Sequence, residues 1–349
     1  MDEEGKKPER RVRYMGTHPK TFKEKYKELN PEQYKEDIEK VIQQGRTPAG
    51  MHRSICVQEI MDVLKIASGQ IGYDATLGYG GHSLEILKHL DGKGKLYATD
   101  VDPFELPRTK ERLNNLGYGD EILVIKKMNF SGIDLIAAEA GPLNFVLADL
   151  GVSSMQIDNP ERGFSVKVEG PLDLRLNPKS GESAADLLKL ISEEELEAVL
   201  TEYSDEPFSQ QIAEAIISKL KKGGAIETTT HLKYIIIEAL KFLPENRRSD
   251  ETKKACQRCF QALRIAVNDE FDVLEKFLEK LPDALTKGGK VAILSFHSGE
   301  DRRVKKYFQH YFREGIFSEI APDPIRPSVE EIAGNPRARS AKLRWAVKA

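Results

Sequence analysis

Gly78, Gly80 and Gly81 fall within four positions of the stretch YDATLGYGGHSLEIL, just after Asp74 and just before a helix-like pattern. Glycine leaves a turn free of side-chain bulk and able to take a left-handed backbone, so its amides can meet a ligand directly. At a helix start these N–H groups lack intrahelical partners and lie at the positive end of the aligned peptide dipoles. A turn of this kind suits a ligand that presents oxygen atoms to the backbone. The same turn can also serve packing alone.

Two ligand classes use a glycine turn between strand and helix: dinucleotides, and S-adenosyl-L-methionine in its doubly wound fold. The dinucleotide fingerprint is G-x-G-x-x-G, whereas from Gly78 the chain reads G-Y-G-G-H-S, with Ser83 where the third glycine belongs. That disfavours an NAD-dependent oxidoreductase. Asp100 follows Gly80 by twenty residues, where a carboxylate can accept two ribose hydroxyls of either ligand. Asp149 closes the apolar run LNFVLAD and is the candidate for accepting a proton or hydrogen bond; a turn cap is the plainer reading of the same residue.

These residues need a frame that brings them together. The runs QIGYDAT, KLYATDVD, EILVIKKMNF and LNFVLADLGVSS alternate with candidate helices at Ser83–Leu90, Phe104–Leu116 and Ser131–Ala140, the pattern of a parallel α/β sheet. In an open parallel sheet ligands bind beyond the carboxyl ends of the strands, which puts Asp74, Asp100 and Asp149 on one crevice. After about residue 155 the alternation gives way to a Gly-, Pro- and Asn-rich loop and then to helical segments, one opening with the capping pair Ser192 and Glu195. A long amphipathic helix is expected from Ala262 to Leu285, then strands at GGKVAILSFHS and AKLRWAVK. The expected division is an N-terminal appendage at 1–48, with an amphipathic piece at Glu32–Gln44, a first sheet part at 49–157, a helical insertion at 158–257 and a second sheet part at 258–349.

Composition narrows the classes. The 349 residues are 40% hydrophobic and 31% charged with a net charge of -3, an ordinary globular balance that leaves room for a local basic face. No apolar run suggests a membrane span, and the charged N-terminus lacks the apolar core of an export signal, so the cytoplasm is the expected location. The three cysteines do not make a disulfide framework. Cys256 and Cys259 lack the second ligand pair that a zinc site needs and read as structural, so no metal is expected.

The motifs GGHS, DLGVSSMQID, RGFS, GPLDLRLNP, FQALRIAVNDE, SFHSGEDRRVKKYF and NPRARSAKLR occur in that order from about His52 to the C-terminus. Together they resemble the RsmH (MraW) family, the bacterial 16S ribosomal RNA cytosine-N4 methyltransferases. The resemblance implies a Rossmann-like class I S-adenosylmethionine-dependent methyltransferase sheet with an inserted helical domain, acting on a cytidine of ribosomal RNA or of the small ribosomal subunit near the decoding site. It implies that Gly80, Gly81 and His82 contact the cofactor and Asp100 its ribose. Phe130 and Asp149 would flank its adenine and methionine portions, and Gln156 would add a further contact. Asp149 is the catalytic candidate.

The chain also departs from this pattern. KKACQRC stands where relatives carry a His-Pro-containing element, HRSICV replaces an early His-x-Pro-Val, and Ser204, Asp205 and Glu206 replace a Gly-Glu-Glu. Gln210 and Gln211 replace a basic pair, and the appendage is longer than usual. These departures imply a divergent paralogue that keeps the methyl donor and has moved to another RNA site or base. A ribosome-assembly factor that binds RNA without methylating is the alternative from another class. Arg337, Arg339, Lys342 and Arg344 are candidates for phosphate contact. The oligomeric state stays open, a dimer included.

Overall fold

A computed structural model describes residues 54–349. The expected appendage and its piece at Glu32–Gln44 lie outside the described residues. The chain enters through α1 (Val57–Leu64) and alternates β1 (Ile71–Asp74), α2 (Gly81–Leu90), β2 (Lys95–Asp100), α3 (Glu105–Asn115), β3 (Leu123–Lys127), α4 (Ile133–Ala140) and β4 (Leu143–Asp149). After the helical segments described below, α11 (Glu270–Ala284), β5 (Leu285–Ser295), α12 (Ser298–Arg313), β6 (Phe317–Ile320), α13 (Val329–Gly334) and β7 (Lys342–Lys348) complete the fold. The seven strands form one sheet in the order β3-β2-β1-β4-β5-β7-β6, parallel except where β7 runs against β5 and β6. This is the expected Rossmann-like α/β architecture.

Side-chain alternation along β4 decides which helices cover which face. Val146 and Ala148 pack with Ile133 and Ile136 of α4 and Phe277 and Leu281 of α11. Phe145 and Leu147 turn the other way, toward Ile60 of α1, Ile86 of α2 and Leu113 of α3. With both faces covered, the central strands are apolar throughout rather than alternating with polar residues. Local sequence fits this packing: Gly72 pairs with Phe145 across β1 and β4, and a Cβ at position 72 would lie 2.0 Å from the Phe145 ring.

The helices α6 (Ala184–Leu190), α7 (Glu193–Ser204), α8 (Ser209–Lys221), α9 (Thr229–Ala239) and α10 (Glu245–Val267) close a core of their own, from Leu172 to Leu263. The expected boundary at 257/258 falls inside α10, whose Cys259, Phe260, Ala262 and Leu263 remain in that core. The single helix expected from Ala262 to Leu285 is two helices. The chain breaks at Asn268 and at Asp269 (φ 49°), because the Asn268 side chain accepts from the Leu176 N–H (2.7 Å) and donates to the Leu174 carbonyl (2.8 Å). Strand β6 was not expected; it is a short edge strand with Ser318 and Glu319 exposed, too brief to leave an apolar signature.

The helical piece meets the sheet at the tip of β5. Asp205, just after α7, accepts from Ser298 Oγ and Arg302 Nη2 (3.2 Å each), and Tyr203 stands edge-on to Phe271 at 5.3 Å. Among the described residues no helix is long and apolar enough to cross a membrane.

Candidate active site

Strand order reverses direction between β1 and β4, so the connections leave those strands toward opposite sides and open a crevice at their carboxyl ends. The glycine turn forms one wall. Gly78 donates its N–H to Asp100 Oδ2 (2.7 Å) and its carbonyl accepts from Thr109 Oγ1 of α3 (2.8 Å). Gly80 is left-handed (φ 72°), and a Cβ there would press on Thr109 Cγ2 at 2.9 Å. This position needs glycine for both its backbone and its space. Gly81 then opens α2, whose first-turn N–H groups have no intrahelical acceptor and border the crevice.

Asp74, expected at the rim, lies beneath it at 1% exposure. Its Oδ1 accepts from the Thr76 N–H (3.1 Å) and its Oδ2 from Ser83 Oγ (2.6 Å). Ser83, which breaks the dinucleotide fingerprint, is therefore a strut between β1 and α2. Burial raises the Asp74 carboxyl to about 6, against the pull of these two hydrogen bonds.

Asp100 remains available. Each oxygen accepts one backbone N–H, from Gly78 and from Asp102 (2.9 Å), leaving a second lone pair on each for ligand hydroxyls. Burial raises its pKa, with the Asp102 charge adding to the shift and the backbone amides around it opposing it. At the tip of β4, the Asp149 N–H is fixed by Thr76 Oγ1 (2.7 Å) and the carboxyl faces His82 Nε2 across 3.4 Å. Asp149 Oδ1 and both His82 ring nitrogens are closed to solvent and have no hydrogen-bond partner. Burial pushes Asp149 up to about 8, with Asp74 and Glu300 adding to it, and burial pushes His82 down to about 4. The Asp149 side chain keeps 30% of its surface exposed through the crevice mouth, although Oδ1 itself is sealed.

Phe130 begins a short 3-10 turn after β3 and packs edge-on against Phe277 (5.3 Å), half-buried at the tip of that strand. Gln156 is more committed than a ligand contact would require. It lies in α5 (Ser154–Asp158), where its Oε1 accepts from the Ser153 N–H and its Nε2 donates to Asp102 Oδ2 (2.9 Å each).

Asp102, absent from the sequence reading, is the hub beside the crevice. At 1% exposure its Oδ1 accepts from the Phe104 and Glu105 amides and its Oδ2 from Gln156 and from Arg162 Nη1 (2.7 Å). Arg162 in turn donates to the Arg175 and Leu176 carbonyls, which lead into the helical piece. Burial acts to raise Asp102, but Arg162 outweighs it and the carboxyl sits below its usual range. The signals available were Asp102 two residues beyond Asp100 and the arginine in RGFS.

The basic residues expected on phosphate are mostly spent inside the protein. Arg344 is buried and donates to Asp301 Oδ1, Lys342 to Asp301 Oδ2 (2.6 Å each), and Arg337 to Asp158 Oδ1 (2.6 Å). Arg339 is exposed. Cys256 and Cys259 are buried free thiols in the helical core, and burial raises Cys256 to about 11. A cluster of Glu270, His297 and Glu300 resembles a metal site, but both Glu270 oxygens accept from Arg264 (2.8 Å each).

Residues 49–349 match the family described as the MraW methylase family. A relative from Alkaliphilus metalliredigens named ribosomal RNA small subunit methyltransferase H 2 is 69% identical over 100% of both chains. One from Lachnoclostridium phytofermentans, ribosomal RNA small subunit methyltransferase H 1, is 62% identical over 97% of this chain and 93% of its own. Among solved structures, an rRNA methylase from Streptococcus thermophilus aligns over 85% of this chain and 98% of its own at 13% identity and a TM-score of 0.38.

Proposed function

The chain belongs to the MraW methylase family, and from that premise we propose that the crevice between β1 and β4 binds S-adenosylmethionine and methylates small-subunit ribosomal RNA, at N4 of a cytidine. The observation that carries the reading is the sealed Oδ1 of Asp149, without a hydrogen-bond partner, at the end of β4, across the glycine turn of β1 from the open lone pairs of Asp100 at the end of β2. The residues present fit the donor: a bare amide at Gly81 beside a side-chain-free turn at Gly80, whose own N–H is held by the Leu77 carbonyl (2.7 Å), hydroxyl acceptors on Asp100, an aromatic edge at Phe130, and a carboxyl at the β4 tip. His82 contributes an unpartnered imidazole there. Gln156 supports the site through Asp102 and the capping of α5.

When bound, the donor supplies an electrophilic methyl group on a sulfonium. The lone pair of an exocyclic base amine is delocalised into its ring, so an acceptor at that nitrogen is needed as it attacks. Asp149 is that acceptor; the rest of the rate comes from holding amine and methyl in line. The helical piece stands over the β5 tip, where an RNA segment with its target base unstacked can reach the crevice.

Incubation with radiolabelled S-adenosylmethionine and small-subunit rRNA, naked or assembled, followed by mass mapping, tests the reading. Label at N4 of one cytidine is expected; donor binding with no transfer to any RNA would leave a non-catalytic assembly factor. Transfer to another base is the second reading. It is favoured by Asp205, a departure from the family pattern, which sits against Ser298 and Arg302 where the helical piece meets the sheet. Calorimetry with NAD is expected to show no binding, since Ser83 fills the third-glycine position and is tied to Asp74.

A further inference from the structure

Counter-charges around the crevice are unevenly shared. Asp102 has Arg162, Asp301 has Lys342 and Arg344, and Glu270 has Arg264. Among the described residues the single ion-pair neighbour of Asp149 is His82, and burial keeps that imidazole neutral at pH 7. The other titratable groups facing Asp149 are Asp74 from β1, Glu300 from α12 and the Cys56 thiol ahead of α1, none of them a cation. Three polar atoms, Asp149 Oδ1 and both His82 nitrogens, are sealed without a hydrogen bond at this one corner, His82 Nε2 standing 3.4 Å from Asp149 Oδ2. Buried polar atoms are rarely left unpaired, and a cluster of them points to a missing group.

We propose that Asp149 takes its counter-charge from the sulfonium of the methyl donor, so that it is an ionised proton acceptor only while that donor is bound. This rests on the functional reading above and adds its order of events. Without ligand, burial and the neighbouring acids keep the carboxyl largely protonated at pH 7. A cation placed beside it favours the ionised form and expels the proton. Methyl transfer then forms one N–C bond and breaks one S–C bond, whose electron pair stays on sulfur, and the nitrogen sheds one proton to Asp149. One cation and one anion become two neutral groups, and the β4 tip returns to the protonated state it held before binding.

The consequence is a proton count that differs between donor and product. Calorimetry of the full chain at pH 7, in buffers of different ionisation enthalpy, is expected to show S-adenosylmethionine releasing up to about one proton more than S-adenosylhomocysteine. The amino-acid ends of the two ligands titrate as well; Asp149→Asn retains that contribution, so the parent's excess over this variant, in which S-adenosylhomocysteine is still expected to bind, is the part that belongs to Asp149. A second measurement needs no variant: the excess in the unmodified protein should fade by about pH 9.5, where a carboxyl is already ionised without the cation. An excess as large in Asp149→Asn as in the parent would overturn the proposal, as would a difference between parent and variant that stays constant with pH. Failure of either ligand to bind is a different result, and would overturn the functional reading with it.

Discussion

Asp149 and Asp102 stand on two sides of one crevice and differ in what neutralises them. Asp102 receives two backbone amides, an amide side chain and an arginine, and its carboxyl is held below its ordinary range. Asp149 has a neutral imidazole at 3.4 Å and is pushed up to about 8. A fully satisfied carboxylate fixes structure, because any motion breaks several bonds at once. An unsatisfied one is a standing cost to the fold that a ligand can relieve. The contrast separates the frame, running from Asp102 through Arg162 into the helical piece, from the chemistry at the β4 tip.

The sharpest break between the two is Asp149→Asn. The amide keeps the shape but loses the acceptor charge, so single-turnover methyl transfer is expected to fall by roughly 10²–10⁴, the usual contribution of a positioned proton acceptor. Circular dichroism should be unchanged. A rate within a few-fold of the parent would move proton acceptance to another group and dissolve the distinction.

On the frame side, Arg162→Met leaves the Asp102 carboxylate buried without its cation. Removing one partner of a buried pair costs about 3–5 kcal/mol, read as a lower urea midpoint. The Leu176 carbonyl also loses its donor, so the helical piece should become more sensitive to protease near 175. An unchanged midpoint would mean that the hub around Asp102 is held by its amides alone.

The division between what could be read from the sequence and what could not follows the same line. The glycine turn, Asp100 and Asp149 were legible because each is a local event: a strand ends, a turn forms, a side chain faces the rim. Asp74 was placed on the correct strand end but not beneath the rim, since its burial depends on Ser83 crossing back from α2. Asp102 and Arg162 are 60 residues apart, and nothing in the spacing of either announces the other. The same holds for Arg344 and Asp301, 43 apart, whose pairing turned an expected phosphate contact into a buried ion pair. The break in the helix expected from Ala262 was hidden because Asn268 is recruited by Leu174 and Leu176, more than ninety residues upstream.

Gly80 joins the two regions, since it shapes the donor wall yet packs on the frame helix α3. In Gly80→Ala the left-handed backbone and the 2.9 Å approach to Thr109 are expected to cost about 1–3 kcal/mol of stability. Donor affinity should weaken in parallel as the turn shifts. Full affinity alongside a lowered melting temperature would assign Gly80 to the frame alone.

The smallest effect is the most specific to the unpaired carboxyl. Asp149 is raised from 3.8 to about 8 in the folded protein, so between those values the folded state holds a proton that the unfolded state has lost. Stability contributed by that group is complete below about pH 4, declines as pH rises, and is gone once pH passes about 8. Asparagine does not titrate. The melting temperature of Asp149→Asn minus that of the parent should therefore grow from pH 4 to pH 8 and level off above. Asp74, raised to about 6, and Asp102, lowered by Arg162, titrate in both proteins and largely cancel in the difference. The 30% of the Asp149 side chain open to solvent screens the shift and keeps the gain small. A variant that melts higher at pH 8 while transferring methyl groups far more slowly would show that the β4 tip is kept at the expense of stability; a difference flat with pH would place Asp149 among the satisfied acids of the frame.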